Sequence, residues 1–143
     1  MNINKSAPAV ASHEIVINAP IDKVWTLVAD VEAWPNWNPA VKSAKLNGEF
    51  KLATTFNWKS GGISIVSTFQ EIEVNAKLVW TGKAIGTQAI HAWTFASTPS
   101  GVLVSTAESF EGWLVKLMPK AMQKTLDESL TAWLEEMKRK AEG

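Results

Sequence analysis

Apolar and polar residues alternate in short stretches through most of the chain, then switch to helical spacing near the C-terminus. His13 to Asn18 alternates, with Ile15 and Ile17 on one side, which predicts a first strand. Asn18-Ala19-Pro20 offers a capping residue and a proline suited to a helix start. Ile21, Val24, Trp25 and Val28 follow at helical spacing, so 20–30 is predicted as a short amphipathic helix. Pro35 and Pro39 interrupt VEAWPNWNPAV and leave room for at most a second short helix. From Val41 to Phe110, turn residues punctuate the pattern at Asn47-Gly48, Ser60-Gly61-Gly62, Asn75, Gly86 and Pro99-Ser100-Gly101. The predicted strands between them are Val41–Leu46, Leu52–Lys59, Ile63–Ile72, Lys77–Ile85, Ala89–Ala96 and Val102–Phe110. With the first strand this makes about seven, and such short connections demand antiparallel pairing.

Trp113 to Gly143 is predicted helical. Leu114, Leu117, Met118, Ala121, Met122, Leu126, Leu130, Trp133, Leu134 and Met137 fall on one wide stripe. Pro119 should start the main helix or kink a longer one. The stripe needs an apolar surface, and the sheet is the only large partner. The expected fold class is therefore α+β, a curved antiparallel sheet wrapped around a long C-terminal helix with an internal cavity between them. Residues 1–11 are expected to form a flexible arm and 12–143 a single domain.

Parity decides which side chains face the helix. If the last hairpin turns over Ser97–Val102, His91 stands opposite Glu108, Trp93 opposite Thr106 and Phe95 opposite Val104, all on one face. A turn near Gly86-Thr87 sets Trp80 opposite Trp93 and Gly82 opposite His91, with Gly82 leaving space beside the imidazole. Phe56, Trp58, Ile63, Ile65 and Phe69 face the same way from the earlier hairpin, with Asn57, Lys59, Ser64 and Gln70 outside. His91 and Glu108 thus form an inward titratable pair. Such a pair either satisfies itself in a polar corner and holds register, or serves as a ligand anchor or an acid/base pair.

Composition narrows the chemistry. There are 143 residues, with fourteen basic residues balancing fourteen acidic ones, so no net field draws the chain to nucleic acid or an anionic surface. Thirteen of the basic residues are Lys and only Arg139 is Arg, which argues against bidentate phosphate recognition and nucleic-acid binding. The absence of cysteine excludes disulfides, thiolate catalysis and Cys-ligated metals. Two histidines without clustered carboxylates predict no metal site. No apolar run approaches the roughly 18–20 residues needed to span a bilayer, so a cytoplasmic protein without stable membrane insertion is expected. Eight Trp and no Tyr imply a core or cavity wall built from large flat surfaces.

HEIVINAPIDKVWTLVADVEAWPNWNPAV resembles the opening of the START-like, or SRPBCC, superfamily, with its strand, its "APxxxVW" helix start and its "WP-x-W-N-P" segment. LVWTGKA, HAWTF, Gly101 and ESFEG at Glu108–Gly112 resemble the second half of the polyketide cyclase/dehydrase-like branch. The resemblance spans residues 13–140 and implies a helix-grip fold. Members bind lipids, plant hormones, flavonoids or polyketides, and some cyclise or dehydrate aromatic polyketides.

Three functions follow as expectations. The first is binding of a small hydrophobic, aromatic or polyketide-like molecule. Phe56, Trp58, Phe69, Trp80, Gly82, Trp93, Phe95, Thr106 and Phe110 would line the cavity, with Leu126, Leu130 and Trp133 closing it from the helix and Trp34 and Trp37 as its lid. The second is a cofactor-independent cyclase or dehydratase, with His91 removing a proton next to a carbonyl and Glu108 setting its tautomer. The third is a co-chaperone-like protein interaction module. No cofactor is expected, and either a monomer or a homodimer is compatible with the sequence.

Overall fold

The computed structural model describes all residues, 1–143. Seven strands form one antiparallel sheet: β1 (Ala9–Ile17), β2 (Val41–Leu46), β3 (Thr55–Ser60), β4 (Ile63–Glu73), β5 (Lys77–Ala84), β6 (Thr87–Thr98) and β7 (Gly101–Glu111). Their order across the sheet is β1-β7-β6-β5-β4-β3-β2. The edge strands β1 and β2 are linked by α1 (Ile21–Ala29) and a 3₁₀ turn (Val31–Asn36). α2 (Trp113–Leu117) leads into the long α3 (Pro119–Glu142), which lies along β1 and covers one sheet face. This is the expected helix-grip topology. No helix is long and apolar enough to cross a membrane.

Proline placement explains the helix boundaries. Pro20 occupies the N-cap of α1 in an extended conformation, and no side chain caps that helix. Asn18, expected to cap it, instead donates its backbone N–H to the Glu142 carboxylate at the far end of α3, at 2.8 Å. Pro119 begins α3, where its missing N–H costs nothing, so the C-terminal helical region divides into two helices at Met118.

Two boundaries differ from the sequence pattern. β1 begins at Ala9, because Ala9 and Ala11 pair with Phe110 and Glu108 and are buried despite their small side chains. The segment before it is tied to the sheet. The Asn4 backbone N–H donates to Ser109 Oγ at 3.0 Å, its side chain donates to Glu111, and the N-terminal amine meets Glu71. The third strand starts at Thr55 rather than Leu52, since Ala53 has a positive φ of 68° and Leu52 is exposed.

The junction of β7 with α2 depends on Gly112. Its φ is 117°, and a Cβ there would stand 2.3 Å from the Gly86 carbonyl oxygen. That same oxygen accepts the Leu114 N–H at 3.1 Å. Gly112→Ala is therefore expected to destabilise the fold by on the order of 3 kcal/mol, from strained backbone plus the clash. Gly62→Ala, with nothing within 4 Å of the added atom, should change stability by less than about 0.5 kcal/mol. Urea unfolding midpoints of the two variants provide the comparison.

Candidate functional site

The inner face of the sheet reads as rows of cross-strand neighbours. One row runs Ala11, Glu108, His91, Trp80 and Phe69 across β1, β7, β6, β5 and β4. The adjacent row holds His13, Thr106, Trp93 and Leu78. His91 thus faces Glu108, and Trp93 faces Thr106, as parity requires. The β5–β6 hairpin differs by two residues. It turns tightly over Ile85-Gly86, with Gly86 at φ 63°, so Trp80 rather than Gly82 stands opposite His91. Gly82 pairs with Ala89, and the space above it is bounded by Ser67 and Ile65. The faces are unchanged, but the imidazole has an indole at its side instead of a gap.

His91 is 1% exposed. Its Nε2 lies 2.8 Å from Thr106 Oγ1, and its Nδ1 lies 3.5 Å from Glu108 Oε2. The ring stacks on Trp93 at 5.0 Å between centroids and leans on Trp80 at 4.9 Å. Burial pushes the His91 imidazole down to about 3 and the Glu108 carboxyl up to about 8, because each loses hydration in its charged form. Near neutral pH both groups are therefore uncharged. The His91 Nε2–Thr106 Oγ1 hydrogen bond takes its direction from the imidazole tautomer, and the Glu108 carboxyl lies beside Nδ1. An imidazole this hard to protonate is a poor base at neutral pH.

The aromatic residues expected around the cavity come together and pack ring against ring. Trp34, expected at the mouth, is fully buried at the centre. Its ring contacts Phe56 at 5.5 Å, Trp58 at 5.2 Å, Trp80 at 5.3 Å and Trp133 at 5.0 Å. The 3₁₀ turn folds this indole inward, where its N–H donates to the Val28 carbonyl at 3.0 Å. Trp37 is also buried and lies against Trp133 at 5.6 Å. It borders an open groove of about 400 Å³ between the 3₁₀ turn and the end of α3, beside Pro35, Pro39, Arg139 and Lys140. Phe69 packs on Phe56 and Phe50, and Phe95 packs on Trp25.

Leu126 and Leu130 do not join this cluster. With Ala9, Ala11 and Val115 they form a second apolar group, against which Phe110 and Met122 pack. On the sheet, the His91–Glu108 row separates Val102 and Val104 of the aromatic cluster from Phe110 of the second. Ile63, expected inside, is 53% exposed because it sits at a hairpin tip.

Three polar features were not anticipated. Ser67 is buried and accepts the Trp58 N–H at 3.0 Å. Its place between Ile65 and Phe69 in an alternating run would have marked it as inward. The indole N–H groups of Trp93 and Trp37 are buried without any hydrogen-bond partner. Both of these rings pack against Trp133. The second histidine, His13, bridges to Asp127 on α3 at 2.9 Å, where hydrogen bonds from Gln123 and His13 hold the aspartate below its usual range. No group of three or more His, Cys, Asp or Glu is placed to hold a metal.

The fold is shared with solved structures. A hypothetical protein from Helicobacter pylori superimposes with a TM-score of 0.85 at 20% identity, covering 96% of this chain and 90% of its own. A START superfamily protein from Mycobacterium smegmatis gives 0.81 at 16% identity, covering 93% and 97%. DynU16, from the dynemicin biosynthetic locus, gives 0.73 at 16% identity, covering 91% of this chain and 46% of its own. No curated protein matches the sequence. The sequence profile of the family described as polyketide cyclase/dehydrase and lipid transport matches residues 8–142. With the START-like fold and this match over nearly its whole length, the chain belongs to the polyketide cyclase/dehydrase and lipid transport family.

Proposed function

We propose that the protein binds a small hydrophobic molecule, aromatic or polyketide-like, between the sheet and α3, and holds one of its oxygens at His91, Glu108 and Trp93. The observation that carries this reading is the Trp93 N–H, buried without a partner on the ring stacked against His91. A buried donor left unpaired costs about 1–3 kcal/mol. A ligand carbonyl or hydroxyl oxygen would remove that cost, and the neutral Glu108 carboxyl could donate to the same oxygen. The surrounding rings supply the apolar walls of a ligand site with few polar groups. Trp34 and Trp133 pack against each other at 5.0 Å, and these two rings would part to admit a ligand. Any catalysis of cyclisation or dehydration at this pair would use Glu108 as the proton donor.

Titration of tryptophan emission with a flavonoid and an anthraquinone tests the reading. Saturable quenching is expected for the wild-type protein. Glu108→Leu and His91→Phe, which keep the bulk but remove the polar atoms, should each weaken binding by about tenfold, the loss of one well-placed hydrogen bond. If no ligand of either type perturbs the emission, the reading fails.

A further inference from the structure

Seven of the eight tryptophans are at most 8% exposed, whereas Trp113 is 63% exposed. It stands on α2 one helical turn from Leu117, which is 71% exposed, and close to Met118 at 47%. The tip of the β5–β6 hairpin meets the same helix. Gly86 accepts the Leu114 N–H there, and a Cβ on Gly86 would lie 2.8 Å from the Trp113 ring. Its neighbour Ile85 is exposed. Every residue from Lys116 to Ala121 is exposed, so this is a projecting corner. The charge is one-sided as well: Trp113 to Leu126 contains Lys116, Lys120 and Lys124 and no acidic residue. Lys124 lies near Glu128, while Lys116 and Lys120 take part in no ion pair.

We propose that this corner, with Trp113, Leu117, Met118 and Ile85 at its centre and Lys116 and Lys120 beside them, docks the protein on an anionic lipid surface. Indole rings favour the bilayer interface, and lysines near the surface are drawn to anionic headgroups. A short apolar helix face with adjoining cations lies in the interface rather than crossing it, in keeping with the absence of any spanning helix. The balanced net charge of the whole chain does not oppose this, since screening confines the attraction to charges close to the surface. A second copy is a poorer occupant. A two-fold contact would set each lysine-bearing corner against its own like charges.

Co-sedimentation with vesicles of phosphatidylcholine alone, or with about a third phosphatidylglycerol, tests the proposal. The wild-type protein should pellet with the mixed vesicles, less at high salt and little with phosphatidylcholine alone. Lys116→Glu/Lys120→Glu and Trp113→Ser/Leu117→Ser should each lower the partition coefficient at least tenfold. Trp113 emission should shift to the blue on binding, a change lost in Trp113→Phe. The proposal is overturned if the wild-type protein stays in the supernatant with anionic vesicles, or if both double variants pellet as it does. It is also overturned if the wild-type protein is a dimer in solution that Trp113→Ser/Leu117→Ser converts to monomer, since a second copy would then cover the corner.

Discussion

Trp34→Ala is expected to remove about 4–5 kcal/mol of stability, at the top of the range for large aromatic residues in protein cores. The residue is fully buried, its ring meets four other aromatic rings, and its N–H satisfies the Val28 carbonyl. Truncation would forfeit the apolar burial, leave a cavity that rigid neighbouring rings close poorly, and orphan an acceptor. Domains of this size have about 5–15 kcal/mol in total, so the variant should sit at the edge of folding. Trp34→Phe retains most of the burial and should lose roughly half as much. Trp113→Ala, at an exposed site, should stay within about 0.5 kcal/mol of the wild-type protein. Urea unfolding of the three variants measures the series. Comparable losses at positions 34 and 113 would contradict the assignment of Trp34 as the centre of the core.

The second large effect is in the pH dependence of stability. Glu108 moves from 4.5 to about 8 on folding, so the folded protein holds this proton more tightly than the unfolded chain. Its contribution is complete below 4.5 and is lost as pH rises toward 8. His91 moves the other way, from 6.5 to about 3. Its contribution is complete above 6.5 and is lost as pH falls toward 3. Between 4.5 and 6.5 the two slopes oppose each other and stability should be flat. Outside that window it should fall on both sides, by up to about 1.4 kcal/mol per pH unit from each group. Asp127 and Glu142, both held below their usual range, add to the acid limb, so the alkaline limb is the cleaner readout. Glu108→Gln should flatten stability between pH 6.5 and 8 while the acid limb persists. An unchanged alkaline fall in that variant would show that Glu108 is not the titrating group.

Much of the site was legible because strand parity is robust. The turn between Thr98 and Gly101 fixed His91 against Glu108, and the two-residue error at the β5–β6 turn could not exchange the faces. It could, however, move Gly82 away from the histidine and put Trp80 there. The stripe on α3 identifies the covered face but not which part of the sheet lies beneath each turn, and Leu126 and Leu130 pack with Ala9, Ala11 and Val115 rather than with the aromatic rings. Volume was the least legible quantity. Large rings in a sequence can line a space or fill it, and the inward fold of a 3₁₀ turn decided the matter for Trp34. The early start of β1 is not legible in the sequence because Ala9 and Ala11 give little hydrophobic contrast with their neighbours.

The pairing of β1 with β7 has a consequence for how the protein is made. During synthesis β1 emerges before the other strands, yet its partner lies at Gly101–Glu111 and its covering helix follows later still. The five hairpin-connected pairings from β2 to β7 join neighbours in the chain and can form as each strand appears. The contact between β1 and β7 must wait for a loop spanning most of the chain to close, which is slow. Until then β1 lacks its strand partner and its helical cover, the condition in which nascent chains are most open to misassociation.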